Sequence, residues 1–135
     1  MSRPLAVVLC AAIIATPVMA QDILKQWEFT KDGDSEGWLP AHSLAPFVIA
    51  GGTLKTSITD GDPYMHDSAG QAFEITCNDS QYIEIRMRHE DGEGGEFFWA
   101  DTTAGADAGF TAGKERGFST EPDGRWHTYH VYPLW

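Results

Sequence analysis

Residues 82–88 read YIEIRMR, and the side chains alternate between polar and apolar along the whole stretch. Ile83, Ile85 and Met87 fall on one face of an extended chain. A period of two is the period of a β-strand, in which successive side chains point to opposite faces of the sheet. The stretch therefore predicts an antiparallel strand with a buried apolar face and a solvated face that carries Tyr82, Glu84, Arg86 and Arg88.

Short apolar clusters on both sides of this strand predict further strands, at residues 26–29, 47–49, 53–58, 96–100, 118–120 and 125–132. Ala50-Gly51-Gly52 predicts a hairpin turn, because glycine tolerates positive φ, and residues 121–124 predict a second tight turn. Residues 60–70 and 101–113 are long polar segments, which predicts loops. No helical period is present, so the sequence predicts an all-β fold, an antiparallel two-sheet β-sandwich (jelly roll) of roughly seven or eight strands.

The first twenty residues predict a secretory signal peptide. Arg3 precedes an apolar run from Leu5 to Val18. Val18 and Ala20 supply the small residues that a signal peptidase reads, which predicts cleavage after Ala20. The run is shorter than the roughly 20 residues that span a bilayer. We therefore expect residues 1–20 to be removed, residues 21–135 to form one domain, and the protein to be secreted or periplasmic. Because the sequence ends in the hydrophobic Tyr132-Pro133-Leu134-Trp135, we expect that this domain lacks its last strands.

Charge and cysteine content exclude several classes of partner. The chain has a formal net charge of −11, and removal of residues 1–20 takes away Arg3 and no acidic residue, which gives −12. A field of this sign repels nucleic acid, anionic membranes and polyanionic glycans, whereas neutral sugars and divalent cations remain open. Cys77 is left without a partner, which excludes an internal disulfide, and we interpret it as a buried apolar residue.

An acidic cluster at Asp32, Asp34 and Glu36, followed by Gly37, resembles the start of an EF-hand loop. The match fails at the fifth loop position, which is Glu36, and at the twelfth, where Ser43 replaces the required Glu. Two interpretations stay open. The cluster either ligates a structural Ca²⁺ or forms a solvated turn between strands, which is the more frequent role of such sequences.

The segment Asp62-Pro63-Tyr64 is the best candidate for a ligand contact. Sugars bind by stacking their C–H faces on aromatic rings while carboxylates and amides hold their hydroxyls, and Tyr64 beside Asp62 offers both. The alternative is a structural turn whose Tyr64 packs on the sandwich. No nucleophile elbow, zinc-protease motif or phosphate loop occurs, so we assign no catalytic residue and expect no enzyme activity. His127 and His130 fall on opposite faces of their strand and cannot chelate one metal together.

Residues 34–38, 62–64 and 82–88 stand out together with several other segments. In combination they resemble a known family, namely secreted bacterial jelly-roll modules of the carbohydrate-binding, galactose-binding-like type. The resemblance implies a sandwich without catalytic activity, with Tyr64, Arg86 and Trp99 facing a sugar. It also implies a structural calcium between the N-terminal and C-terminal segments, to which Asp34 and Glu36 would contribute. The segments that carry the resemblance are Phe29, residues 34–38, 51–54, 62–64 and 82–88, Phe98-Trp99, and residues 123–129.

Three functions are compatible with these features. The first is a secreted, non-catalytic β-sandwich that binds a neutral polysaccharide through Tyr64, Asp62, Arg86 and Trp99. The second is a structural or protein-interaction module of the cell envelope without a sugar site. The third is a small polysaccharide lyase or hydrolase, which would need Arg86, His89, Tyr129 and a carboxylate to converge in one cleft.

Overall fold

Antiparallel strand pairs make up most of the ordered framework. The computed structural model describes residues 22–67, 73 and 75–135. The one helical element in these residues is a 3-10 turn, Gly105–Asp107, so the predicted all-β class is confirmed. The strands are β1 (Trp38–His42), β2 (Val48–Ala50), β3 (Thr53–Lys55), β4 (Tyr64–Asp67), β5 (Ile83–Met87), β6 (Gly94–Phe98), β7 (Glu115–Ser119) and β8 (His127–Val131).

The strands pair in two nested sets. In the first half β1 pairs with β4 and encloses the β2–β3 hairpin; in the second half β5 pairs with β8 and encloses the β6–β7 pair. All four pairs are antiparallel. In the β5–β8 ladder Glu84 lies opposite His130 and Ile85 lies opposite Tyr129. This ladder fixes which side chains share a face in the second half of the chain.

Glycines form both predicted turns. Gly51 and Gly52 have φ of +58° and +74° and join β2 to β3, as predicted, in a two-residue hairpin turn. Gly124 has φ of +73°, and its N–H donates to the carbonyl oxygen of His89 at 2.9 Å. This hydrogen bond ties the turn before β8 to the chain that leaves β5.

Burial follows the predicted alternation in β5. Ile83, Ile85 and Met87 are half-buried, whereas the side chains between them are exposed. Two hydrophobic residues of the described part are fully buried, Ile49 and Val131. Aromatic contacts supply much of the remaining packing: Phe118 lies 5.9 Å from Tyr129 between ring centroids, and Trp27 packs edge-on against Trp38 and Phe73.

Three predictions are wrong. Residues 26–29 do not form a strand. The predicted loop over residues 60–70 contains the strand β4. Its partner is β1, which the apolar pattern of the sequence did not predict either. Cys77 is exposed rather than buried. The predicted signal peptide, residues 1–20, lies outside the described residues.

Candidate ligand-binding cleft

A cleft of about 480 Å³ lies where three segments of the chain meet, residues 58–63, 87–95 and 118–120. Its walls are largely apolar, with Ile58, Pro63, Met87 and Phe118 among the lining residues. Gly92, Gly94 and Gly95 line the cleft on the β6 side. Small-molecule sites have volumes of about 300–1,000 Å³ and mostly apolar walls with a few polar groups. This cleft has both properties.

Two residues that line the cleft each have a buried polar atom without a hydrogen-bond partner, Nε2 of His89 and Oγ1 of Thr120. Nδ1 of His89 lies 2.7 Å from the carbonyl oxygen of Asp91. Because a carbonyl oxygen only accepts, Nδ1 carries the proton and donates it, which leaves Nε2 of the neutral ring as an acceptor. A buried polar atom without a partner costs about 1–3 kcal/mol. Two residues of the cleft lining therefore carry a polar atom whose hydrogen-bonding capacity is unused.

The chain on either side of these residues is fixed by main-chain hydrogen bonds. His89 accepts from the N–H of Gly124 through its carbonyl oxygen, and the N–H of Thr120 donates to the carbonyl oxygen of Glu93 at 3.1 Å. The carboxylates of Asp60 and Asp91 belong to cleft-lining residues that are exposed. The cleft therefore combines a fixed polar pair inside with acidic groups at its solvent side.

The segment from Asp60 to Tyr64 forms one wall and presents Tyr64 beside it. Ser43 Oγ donates to the carbonyl oxygen of Gly61 at 2.6 Å, and Nδ1 of His42 donates to that of Asp62 at 2.9 Å. The Tyr64 ring stacks on the His42 ring with centroids 5.6 Å apart and an interplanar angle of 13°. Tyr64 remains 51% exposed. It is therefore a supported aromatic surface rather than a buried one.

The predicted ligand residues fall into three places. Asp62 and Tyr64 flank Pro63, which lines the cleft, but neither of them is itself a lining residue. Arg86 lies on the opposite face of β5 from Met87 and His89, with its guanidinium 4.7 Å from the ring centroid of Trp126. Trp99 is half-buried and packs edge-on against Trp135 at 5.5 Å. The structure brings two of the four predicted residues together.

His89 and Thr120 are cleft residues that the sequence reading missed. A usable signal was present for both. Side chains two residues apart in a strand share a face. His89, two residues beyond Met87, is therefore expected on the face of Met87, and Thr120, two residues beyond Phe118 of β7, on the face of Phe118. Arg86 lies against Trp126 and His89 lines the cleft, and the lyase or hydrolase hypothesis stays a prediction.

The acidic cluster at residues 32–36 binds main-chain amides. Both carboxylate oxygens of Glu36 accept, one from the N–H of Glu28 at 3.0 Å and one from that of Phe29 at 2.5 Å. Asp32 accepts from the N–H of Gly51 at 3.1 Å. The pKa of Asp34 is lowered chiefly by the N–H of Glu36 and then by Lys31. Calcium binding at Asp32, Asp34 and Glu36 stays a prediction, and several oxygens that would ligate it already hold the fold together.

A second titratable cluster joins Glu121, Asp123 and His127, whose ligand atoms lie within 4.8 Å of one another. Nε2 of His127 lies 2.9 Å from Oδ1 of Asp123, and Nδ1 lies 3.7 Å from Oε2 of Glu121. Arg125 also binds Asp123, through its main-chain N–H at 2.9 Å and Nε at 2.6 Å. Hydrogen bonds from His127 and then Arg125 hold the pKa of Asp123 well below its usual range. Arg125 thus already provides the positive charge that a metal ion would bring.

Over the described ranges, no helix has the length and apolar character needed to cross a bilayer. Comparison with known proteins adds no family assignment. No protein family, curated protein or solved structure matches this chain.

Proposed function

We propose that this chain is a secreted, non-catalytic carbohydrate-binding module with a jelly-roll fold, and that its cleft holds a neutral sugar. The observation that carries the proposal is an apolar cleft of about 480 Å³ whose lining includes two residues with an unpaired buried polar atom, His89 (Nε2) and Thr120 (Oγ1). Apolar surroundings strengthen any hydrogen bond made there and make its absence costly.

The polarity of the cleft favours a neutral ligand rich in hydroxyl groups. Nε2 of the neutral His89 ring accepts a hydrogen bond, and the hydroxyl of Thr120 both donates and accepts. Asp60 and Asp91 add acceptors at the solvent side. A sugar hydroxyl donates and accepts at the same atom, so it satisfies this set. A carboxylate or phosphate ligand would meet acceptors and like charge.

Aromatic and apolar groups would bind the C–H faces of the sugar. Tyr64, which is 51% exposed and backed by His42, directly follows Pro63 of the cleft wall. Met87 and Phe118 are inside the cleft. Flat aromatic surfaces combined with a few fixed hydrogen-bonding groups are the usual composition of such sites. A saccharide reaching from the cleft to Tyr64 would use both.

The pairing of the strands supports the jelly-roll part of the proposal. A jelly roll consists of eight antiparallel strands in two packed sheets. The described residues form eight strands in four two-stranded antiparallel sheets, and the proposal is that these sheets pack in two layers. Secretion is supported by the signal-peptide pattern of residues 1–20.

A protein-interaction module is the second candidate. Large apolar side chains are exposed, among them Leu134 at 72%, Phe110 at 64% and Val48 at 61%. Large contiguous apolar patches on a soluble protein mark contact surfaces. This candidate predicts association with protein and no retardation by polysaccharide, so the experiment for the first candidate separates the two.

The test is affinity electrophoresis on a panel of neutral polysaccharides, followed by calorimetry on those that retard the protein. We expect retardation of the unmodified chain and about tenfold weaker binding for Tyr64→Ala, equivalent to about 1.4 kcal/mol. Tyr132→Ala is the matched control, because Tyr132 is 55% exposed and packs on Tyr82 rather than at the cleft. Absence of retardation on every neutral polysaccharide, or equal loss in both variants, would contradict the proposal.

A further inference from the structure

The outer face of the β5–β8 ladder carries a cluster of two arginines and one tryptophan. Arg86 and Arg88 are two residues apart and exposed, on the face opposite to Met87 and His89. Their guanidinium carbons lie 4.7 Å and 5.4 Å from the ring centroid of Trp126, which is 40% exposed. One ring therefore holds two positive groups side by side. This cluster is separate from the cleft.

Neither guanidinium is neutralised by a carboxylate within the described residues. Glu84 lies 3.0 Å from Nε2 of His130, and Asp123 binds Arg125 and His127. Glu90, two residues beyond Arg88, forms no ion pair with either arginine in the described part of the chain. Lys31 and Lys114, by contrast, each form an ion pair with an aspartate. Two adjacent like charges repel, and the indole face offsets this only in part. An anion bound between them would remove the repulsion.

The chemistry of the cluster specifies its ligand. A guanidinium presents paired N–H donors that match two oxygens of a carboxylate or phosphate group. The chain as a whole carries a net charge of −11, which opposes the approach of a densely charged polymer. We propose that Arg86, Arg88 and Trp126 form an oxyanion site for a small ligand with one isolated anionic group, such as the carboxylate of a sugar acid. The site does not depend on sugar binding in the cleft.

The test is a titration of the full chain followed by nuclear magnetic resonance, observing the arginine Nε–Hε and tryptophan indole signals. Three probes separate the ligand sources: sodium glucuronate, inorganic phosphate, and glucose as the uncharged match of glucuronate. We expect saturable shifts of Arg86, Arg88 and Trp126 with glucuronate. Binding should weaken about threefold or more between low salt and about 0.5 M NaCl, because salt screens exposed charges. Saturation by phosphate alone would also support an oxyanion site and would assign it to phosphate groups.

Variants decide whether the two arginines are responsible. Arg86→Gln combined with Arg88→Gln should abolish the saturable shifts, whereas Arg116→Gln, a change at an exposed arginine of β7, should leave them. If circular dichroism shows that the double variant is unfolded, the single variant Arg86→Lys is titrated instead. It keeps the charge but not the paired donors, so affinity should fall about threefold or more. No saturation with either anion, equal binding of glucose, or shifts unchanged in these variants would overturn the proposal.

Discussion

The ring of Phe118 fills the space beside Gly95. The two residues are register partners in the β6–β7 ladder, and a Cβ atom on Gly95 would lie 2.8 Å from Cζ of Phe118. Both residues line the cleft. Glycine at this position is therefore required for the ring to lie flat against β6 and form the cleft wall.

Gly95→Ala should destabilise the fold, because the ring of Phe118 must move away from its packed position. We expect a loss of about 1–3 kcal/mol in the free energy of unfolding, measured by urea denaturation. Gly117→Ala is the control, since its nearest neighbour, the carbonyl oxygen of Gly95, would be 4.0 Å from the new Cβ. Equal stabilities of the two variants would show that the ring is not confined as described.

Thr120→Val should separate stability from binding. The hydroxyl of Thr120 has no partner in the described structure, so its replacement by a methyl group should leave stability unchanged or raise it. Binding of a neutral sugar should weaken, because the ligand loses a hydrogen bond. Thr56→Val is the control: Thr56 Oγ1 donates to the carbonyl oxygen of Ala45 at 2.7 Å, so its loss should cost about 1 kcal/mol in thermal or urea unfolding. A destabilised Thr120→Val with normal sugar affinity would contradict this assignment.

Asp101 should contribute a pH-dependent part of the stability. Hydrogen bonds, first from Lys114 and then from Thr103, lower the pKa of the Asp101 carboxyl from 3.8 to about 2. A carboxyl with a lower pKa in the folded chain stabilises the fold above its unfolded pKa and loses that contribution as the pH falls through its folded pKa. The melting-temperature difference between the unmodified chain and Asp101→Asn should thus be constant above about pH 5, decrease as the pH falls, and vanish only below about pH 2.

The control for this pH series is Asp79→Asn, which changes an exposed aspartate that has no hydrogen bond or ion pair among the described residues. Its melting temperature should follow that of the unmodified chain throughout the series. Identical pH profiles for the two variants would rule out the role given to Lys114 and Asp101.

Glu36→Gln should destabilise the N-terminal segment. Both carboxylate oxygens of Glu36 accept main-chain N–H groups, and a glutamine amide supplies a single acceptor oxygen. We expect a loss of about 1.5–3 kcal/mol in urea unfolding, the range for hydrogen bonds to a charged group. Asp32→Asn should cost less, because the amide oxygen can still accept from Gly51. A larger loss of stability for Asp32→Asn than for Glu36→Gln would contradict the role given to the two hydrogen bonds of Glu36.

Calcium should have little influence on this cluster, because amide hydrogens already occupy its carboxylate oxygens. We expect the same melting temperature in Ca²⁺ and in chelator. A rise in Ca²⁺ that Asp34→Ala abolishes would instead establish the calcium site.

The sequence predicted the elements whose signals are local. The alternation at residues 82–88 and the glycine pair at 51–52 determine a strand and a turn by themselves, and both are present. It did not predict β1 and β4, since residues 38–42 and 64–67 lack an apolar alternation and form strands by pairing with each other. Residues 26–29 alternate but form no strand; there, the amides of Glu28 and Phe29 bind Glu36 instead of a neighbouring strand.

The cleft was less predictable than the strands. Tyr64 and Asp62 stood out because an aromatic ring beside a carboxylate is a visible local pattern. His89 and Thr120 are 31 positions apart and meet only because β6 and β7 pair between them and the turn at Gly124 binds His89. Whether a buried atom has a hydrogen-bond partner depends on the whole fold, so no short stretch of sequence predicts it.

The most direct test of the cleft is a titration of isotope-labelled protein with neutral oligosaccharides, observing the His89 ring nitrogens and the Thr120 amide. The account predicts saturable shifts of Nε2 of His89 and of Thr120 at one common dissociation constant, and loss of those shifts in Thr120→Val. Saturable binding that leaves both residues unchanged, or no saturable binding at all, would contradict it.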